Sequence, residues 1–383
     1  MSRSHHPVLS RVLLLAGLFL TGCAGDPFAD YAALDASSIQ RPYPAADHRG
    51  VPQTARTGEL LLQFDQARSF FPLALSGALV DYSRSAPNSP GARGFTAAFL
   101  ADFNAVTADP EQPLDAQLAA ADGSRLMLLR ARPGDSWGEL HHAALLDASD
   151  VALIVMPRGA LAGDAFAQTA RHQAGKPVWA LLPASARVGN GETMPDPDEA
   201  RLLAFSALLG GATGIIWQGE DNYVARSAGW LGIAPTPQLD YGIQTGGHAP
   251  LQATPGDVAA SRRLWDAVTQ LNRRISRIAP ALLQPDAPEP YSIAMRIAPP
   301  SATGARPPAQ LRSLLKPHDG GLLLIVLNAG AREEDFRIGF ARAIRSLTRL
   351  DEGETIAQDA ARGLFRDTIA PRGVKLYRIV LAR

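Results

Sequence analysis

Two stretches of this chain end an apolar run in residues that can do chemistry. The first runs into Asp81 and Tyr82, and the second, Thr213 to Trp217, runs into Gln218-Gly219-Glu220-Asp221-Asn222-Tyr223. Two carboxyl groups roughly 5 to 10 Å apart can cleave a glycosidic bond, one protonating the leaving oxygen while the other attacks or activates water. Glu220 or Asp221 on one side and Asp81 on the other are the candidate pair. Aromatic side chains beside such carboxylates can stack on sugar rings, and Trp217, Tyr82, Trp230 and Tyr223 are the candidates for that role. Each has a plainer reading. A Gly-Glu-Asp-Asn run after a strand also suits a solvated loop, and Trp217 also suits packing at the mouth of a sheet. Trp179 reads as core.

Other chemistries find little support. His141 and His142 are adjacent and point to different sides of a helix, so they make no metal pair, and no metal site or cofactor is expected. There is no phosphate loop, dinucleotide fingerprint, Gly-x-Ser-x-Gly elbow or cysteine nucleophile. The 383 residues carry 37 Lys plus Arg against 37 Asp plus Glu. That balance implies no nucleic-acid partner.

The elements that must hold the candidates follow a strand and helix alternation. From Lys176 to Asn222 the chain reads as a buried strand (Pro177 to Leu182), a loop, a helix and a second buried strand. Both apolar runs are continuous rather than alternating, as expected of strands covered on both faces. Asp196-Pro197-Asp198-Glu199 has the layout of a capping box with proline at the first helical position, and Gly210-Gly211 stops the helix. Upstream, Phe70 to Gly77, Arg125 to Ala131 and Asp150 to Met156 read as strands, and Phe95 to Leu100 and Asn104 to Val106 flank a short helix or strand. Leu114 to Ala121, Leu140 to Asp147 and Ala160 to Gln173 read as helices. The series implies a parallel sheet with right-handed crossovers, whose carboxyl ends bind ligands. Val258 to Leu283 is the longest helix, with a core stripe at Leu264, Val268, Leu271, Ile275 and Ile278. After Pro285 to Pro290 the period changes: Tyr291 to Ile297, Leu311 to Leu315, Leu322 to Asn328, Phe336 to Phe340, Ala343 to Leu350 and Val374 to Leu381 are close-spaced strands of a β-sandwich.

Arg3, His5, His6 and Arg11 precede the apolar run Val12 to Leu20, the layout of a secretory signal. Leu20-Thr21-Gly22-Cys23 resembles the bacterial lipobox, and Cys23 is the only cysteine of the chain. The resemblance implies lipidation at Cys23 and a membrane anchor. Ala24 after the cysteine then favours the outer membrane of the cell envelope, facing the periplasm or the exterior. Residues 26–57 lack a sustained period and read as a tether.

Phe70-Phe71-Pro72-Leu73-Ala74-Leu75-Ser76-Gly77 is similar to the opening barrel strand of glycoside hydrolases that carry a C-terminal sheet domain. Gly94-Phe95 with Phe103 to Val106, Gly175 to Trp179, Asp198 to Arg201, Gly211 to Trp217, Gly320 to Asn328, and Gly363 to Asp367 through Arg378 resemble further parts of that group. The resemblance implies an α/β fold: a (β/α)8-like barrel, shortened or incomplete, followed by a C-terminal all-β sandwich. The expected divisions are a signal peptide over 1–22, a tether over 23–57, the barrel over 58–285 and the sandwich over 290–383. An eight-stranded barrel normally needs about 250 residues. Between Arg130 and Asp150 there is room for one helix, and the strand from Asp150 ends in Pro157-Arg158-Gly159 rather than a carboxylate. Two readings therefore stand: a polysaccharide hydrolase, or a catalytically inactive oligosaccharide-binding or scaffolding lipoprotein.

Overall fold

The computed structural model describes residues 31–33, 73–76, 97–98, 105–108, 126–131, 151–159, 162–171, 177–219, 231–233, 253–296, 310–351 and 363–382. The expected helices over Leu114 to Ala121 and Leu140 to Asp147, and the signal region, lie outside the described residues.

Among the described residues seven parallel strands form one sheet: β2 (Leu73–Ser76), β3 (Ala97–Ala98), β4 (Ala105–Ala108), β5 (Leu126–Ala131), β6 (Val151–Val155), β7 (Val178–Pro183) and β8 (Gly214–Gln218). Their hydrogen-bonded order is β3-β2-β8-β7-β6-β5-β4. The last strand thus lies beside the first, the order a ring of strands requires. Among the described residues β3 and β4, the two ends of this order, share no pairing. The parallel α/β sheet is as expected.

Strand alternation divides the sheet into two faces. Ala152, Ile154, Val178, Ala180, Leu182, Ile215 and Trp217 join one core cluster with the helices. Trp179 and Ile216 point to the opposite face and are also buried. Trp179 pairs in register with Gly214, the largest side chain beside none. Burial on both faces is why these strands read as continuous apolar runs.

Among the described residues three helices cover the first face: α1 (Ala162–Arg171), α2 (Pro197–Leu209) and α3 (Pro255–Leu282). Every residue of α2 from Leu202 to Leu209 is buried. A helix apolar all round needs cover on all sides, and α2 packs on β7, on its neighbouring helices and on the C-terminal strands. Gly211, at φ +96°, supplies the left-handed residue that ends it. In α3 the expected stripe of Leu264, Val268, Leu271, Ile275 and Ile278 is buried, and Thr254 and Asp257 form a reciprocal capping box.

The C-terminal region is two four-stranded antiparallel sheets. One contains β9 (Tyr291–Arg296), β12 (Glu334–Phe340) and β14 (Leu364–Ile369), and the other β10 (Leu311–His318), β11 (Gly321–Asn328), β13 (Ile344–Arg349) and β15 (Val374–Leu381). Leu324, Val326, Tyr377 and Ile379 face the other sheet. Leu323, Ile325, Leu327 and Leu376 face the helices and belong to the same cluster as Leu202, Phe205 and Leu208. The second sheet is therefore buried on both sides, which explains the unbroken run Gly321-Leu322-Leu323-Leu324-Ile325-Val326-Leu327. The division between 285 and 290 marks a change of architecture but not of core.

Polar contacts close the same interface. Arg312 pairs with Asp164 and Arg274 with Asp351, while Arg274 Nη2 donates to the Val374 carbonyl at 3.0 Å and Arg201 Nε to the Arg372 carbonyl at 3.2 Å. One expectation needs correction. Tyr31–Ala33, inside the supposed tether, forms strand β1 and pairs antiparallel with β9, Tyr31 opposite Arg296. An edge strand offers free backbone groups to any extended segment, so three residues with no apolar period can still be recruited by main-chain bonds alone.

Candidate functional site

The carboxyl ends of β2 and β8 are adjacent and in register, with Ser76 opposite Gln218. Asp81 lies five positions beyond Ser76 and Glu220 two beyond Gln218. Asp81, Tyr82, Glu220, Asp221, Tyr223, Trp230 and Cys23 all lie outside the described residues.

The return of the chain after Glu220 is described. The Ala184 N–H donates to the Gln218 carbonyl at 3.1 Å, and Ala186 and Leu231 exchange two main-chain bonds of 3.0 and 2.9 Å. Ser261 Oγ then donates to the Gly232 carbonyl at 2.7 Å, and Leu231 and Ile233 are buried. Both ends of the excursion that carries Glu220, Asp221, Tyr223 and Trp230 are thus tied to the same short segment after β7.

Trp217 is the one candidate side chain whose surroundings are described, and its expected role is corrected. It is fully buried on the helix side of β8. Its Nε1–H donates to Asn272 Oδ1 of α3 at 3.0 Å. A ring with no exposed face cannot stack on a sugar, so Trp217 takes the packing role. The alternation that turns Ile215 and Trp217 toward the helices turns Ile216 and Gln218 the other way. Gln218 is half-buried. The period was legible, and it would have singled out Gln218. Asn272 was legible too, since it falls four positions after Val268 and three before Ile275 on the apolar stripe of α3.

Glu199 also departs from expectation. Asp196 does cap α2, accepting from the Glu199 N–H at 2.6 Å. The Glu199 carboxylate does not reach back to complete a capping box. It accepts from Arg158 Nε at 2.8 Å and Nη2 at 2.7 Å, while Arg158 Nη1 donates to the Thr193 carbonyl at 2.7 Å. A planar guanidinium offers two parallel donors that outcompete a single backbone N–H. The Glu199 bond holds the Arg158 guanidinium above its usual range, against the opposing pull of burial. Arg158 follows β6, so this fork ties the end of one strand to the start of the helix after the next. Nothing in Pro157-Arg158-Gly159 announces that partner 41 positions away.

Among the described residues no group of three metal-ligating side chains comes together, and no helix is long and apolar enough to cross a membrane.

No protein-family model matches the chain, and no curated protein matches it. Solved structures do. An α-amylase from Anoxybacillus is 10% identical at a TM-score of 0.42, covering 74% of this chain and 61% of that one. An endoxylanase of glycoside hydrolase family 30 from Clostridium papyrosolvens is 13% identical at a TM-score of 0.34, covering 71% and 61%. A β-L-arabinopyranosidase of glycoside hydrolase family 27 from Geobacillus stearothermophilus is 8% identical at 0.37, covering 70% and 62%. These neighbours are glycoside hydrolases. The chain spans about three fifths of the length of each.

Proposed function

We propose that this chain is a lipid-anchored envelope protein whose parallel sheet is a shortened glycoside-hydrolase-like barrel, binding or hydrolysing a polysaccharide at the strand carboxyl ends. The observation that carries the reading is the register of Ser76 with Gln218. Two segments bearing carboxylates and aromatic residues leave the sheet from neighbouring strands, at the end where parallel α/β sheets bind ligands. On this reading Glu220 protonates the glycosidic oxygen and Asp81 attacks the anomeric carbon or activates water, with Asp221 as the alternative to Glu220. Tyr82, Tyr223 and Trp230 supply stacking surface.

A non-catalytic sugar-binding or scaffolding role is the second reading. It is favoured by the end of β6, where Arg158 is paired with Glu199 and the described residues carry no carboxylate that is left unpaired.

The test uses the detergent-solubilised full chain on a glycan array, followed by reducing-end assays on each hit. Hydrolysis predicts product release that is abolished in E220Q and retained in E199Q. Binding without product release selects the second reading, and a blank array removes both. Palmitate labelling lost in Cys23→Ala checks the anchor.

A further inference from the structure

One end of the C-terminal sheets lies beside the carboxyl ends of the parallel strands. In a βα unit the helix runs back along the sheet, so its first turn sits near the carboxyl end of the strand before it. Asp164, in the first turn of α1, pairs with Arg312 near the start of β10. Asp196, which caps α2, lies 3.6 Å from Arg372 Nη1, and the Arg372 carbonyl accepts from Arg201 of the same helix at 3.2 Å. Arg372 stands in the turn between β14 and β15, while Leu311 opens β10 opposite Asn328 at the close of β11. Asn328 joins the two places, since its Nδ2 donates to the Ile369 and Ala370 carbonyls. Contacts to two different helices thus set the same end of the sandwich on the carboxyl-end side of the parallel sheet.

The N-terminal chain meets the molecule at that end too. Ile369, which closes β14, lies opposite Glu334, the first residue of β12, and Phe336 lies opposite Met295 near the close of β9. Tyr31 pairs with Arg296, the last residue of β9, and Ala33 with Ala294. Strand β1 therefore runs away from this end, and the chain that precedes Tyr31 departs from it. Only residues 24–30 separate Tyr31 from Cys23, and eight Cα steps span at most about 28 Å when fully extended. In the sheet order β1-β9-β12-β14, β14 lies about 14 Å from β1 at the usual strand spacing. A lipid on Cys23 is thus tied closely to the side of the molecule where the parallel strands end. We infer that the carboxyl ends of the parallel strands face the lipid surface that holds Cys23, with β1 as the clamp that sets this orientation. The inference rests on the lipid anchor proposed above.

Energy transfer on vesicles of phosphatidylethanolamine and phosphatidylglycerol tests it. Cys23 is the only cysteine, and lipidation occupies its thiol, so a single introduced thiol takes the donor dye alone. Asn190→Cys places the dye at an exposed position between β7 and α2, on the carboxyl-end side. Gln284→Cys places it beyond the last turn of α3, where the Gln284 carbonyl accepts from Lys316 toward the far end of β10 at 2.7 Å. Helix α3 separates the two sides by about 40 Å, so transfer to a headgroup-labelled acceptor lipid should be at least about twofold greater from N190C than from Q284C. Replacing Tyr31, Ala32 and Ala33 together by proline removes the main-chain donors of the clamp and should abolish the difference. Equal or reversed transfer in the otherwise native chain overturns the orientation and leaves the anchor standing. A difference that survives the proline replacement overturns the role of β1. Failure of the full chain to take palmitate at Cys23 and to bind the vesicles overturns the anchor reading and this inference with it.

Discussion

The C-terminal sheets and the carboxyl end of β8 treat polar groups in opposite ways. In the sheets, Asp367 is nearly enclosed and accepts from Arg349 Nε (3.0 Å) and Nη2 (2.6 Å), Lys375 Nζ (2.8 Å), Tyr377 Oη (2.8 Å) and the Thr368 N–H (2.8 Å). Asn328 is just as fully used: its Nδ2 serves the carbonyls of Arg332, Ile369 and Ala370, and its Oδ1 accepts from Gly330 N–H. At the end of β8 the Gln218 side chain is only half-buried and shows no hydrogen bond among the described residues. The difference separates a saturated buried group, which holds the sheets together, from a strand-end side chain that keeps part of its surface in solvent.

Breaking the saturated side should have the largest effect. Asp367→Ala removes the carboxylate that Arg349, Lys375 and Tyr377 share, and removing one partner of a buried charged network costs about 3–5 kcal/mol. Urea unfolding measures this, and sugar affinity should not follow it.

The same carboxylate makes stability depend on acid. Burial pushes the Asp367 carboxyl up, but the hydrogen bonds from Arg349, Lys375, Tyr377 and Thr368 outweigh it and hold the group below its ordinary value of 3.8. A folded-state value below the unfolded one means the contribution is complete above the ordinary value and is lost as pH falls through the folded one. Native stability should therefore decline below about pH 4 more steeply than that of Asp367→Asn, in denaturant titrations run from about pH 6 to pH 2.

Trp217→Phe sharpens the division within a single strand. It removes the donor to Asn272 Oδ1 in a site with no water access, and an orphaned buried acceptor costs about 1–3 kcal/mol. The unfolding midpoint should drop while binding holds. A loss of affinity without a loss of stability would return Trp217 to the binding face.

The Arg158 and Glu199 fork should give the smallest effect. Arg158 keeps 40% of its side chain exposed, so solvent screens the pair, and a double-mutant cycle should give a coupling of at most about 1 kcal/mol. A much larger coupling would mean that the fork also fixes the loop through Thr193.

Most of the architecture was readable from residue patterns. The continuous runs at Val178 to Leu182 and Gly214 to Trp217, the start of α2 at Asp196-Pro197, the stripe on α3 and the turns between the C-terminal strands are local signals, because hydrophobic period, capping and left-handed glycines act within a few residues. What the sequence could not say was which covered faces meet. The run from Leu322 to Leu327 declares a strand buried on both sides, but only tertiary structure decides that helix α2 covers one of them. Tyr31–Ala33 has no pattern because an edge pairing uses the backbone, which every residue shares.

The candidate site divides the same way. Residue types nominated Asp81, Glu220, Asp221 and the aromatics, and the strand period already contained the alternation that sends Trp217 toward the helices and Gln218 to the opposite face. Glu199 illustrates the limit. Its spacing from Asp196 determined the start of a helix, since that bond spans three residues. Its carboxylate went instead to Arg158, a partner set by the parallel order of β6 and β7, which no local spacing encodes. Sequence alone determined the elements and the chemistry they carry, because those forces are short in range along the chain. The fold decided which side chains are spent and which remain open, because saturation depends on neighbours brought together from distant segments.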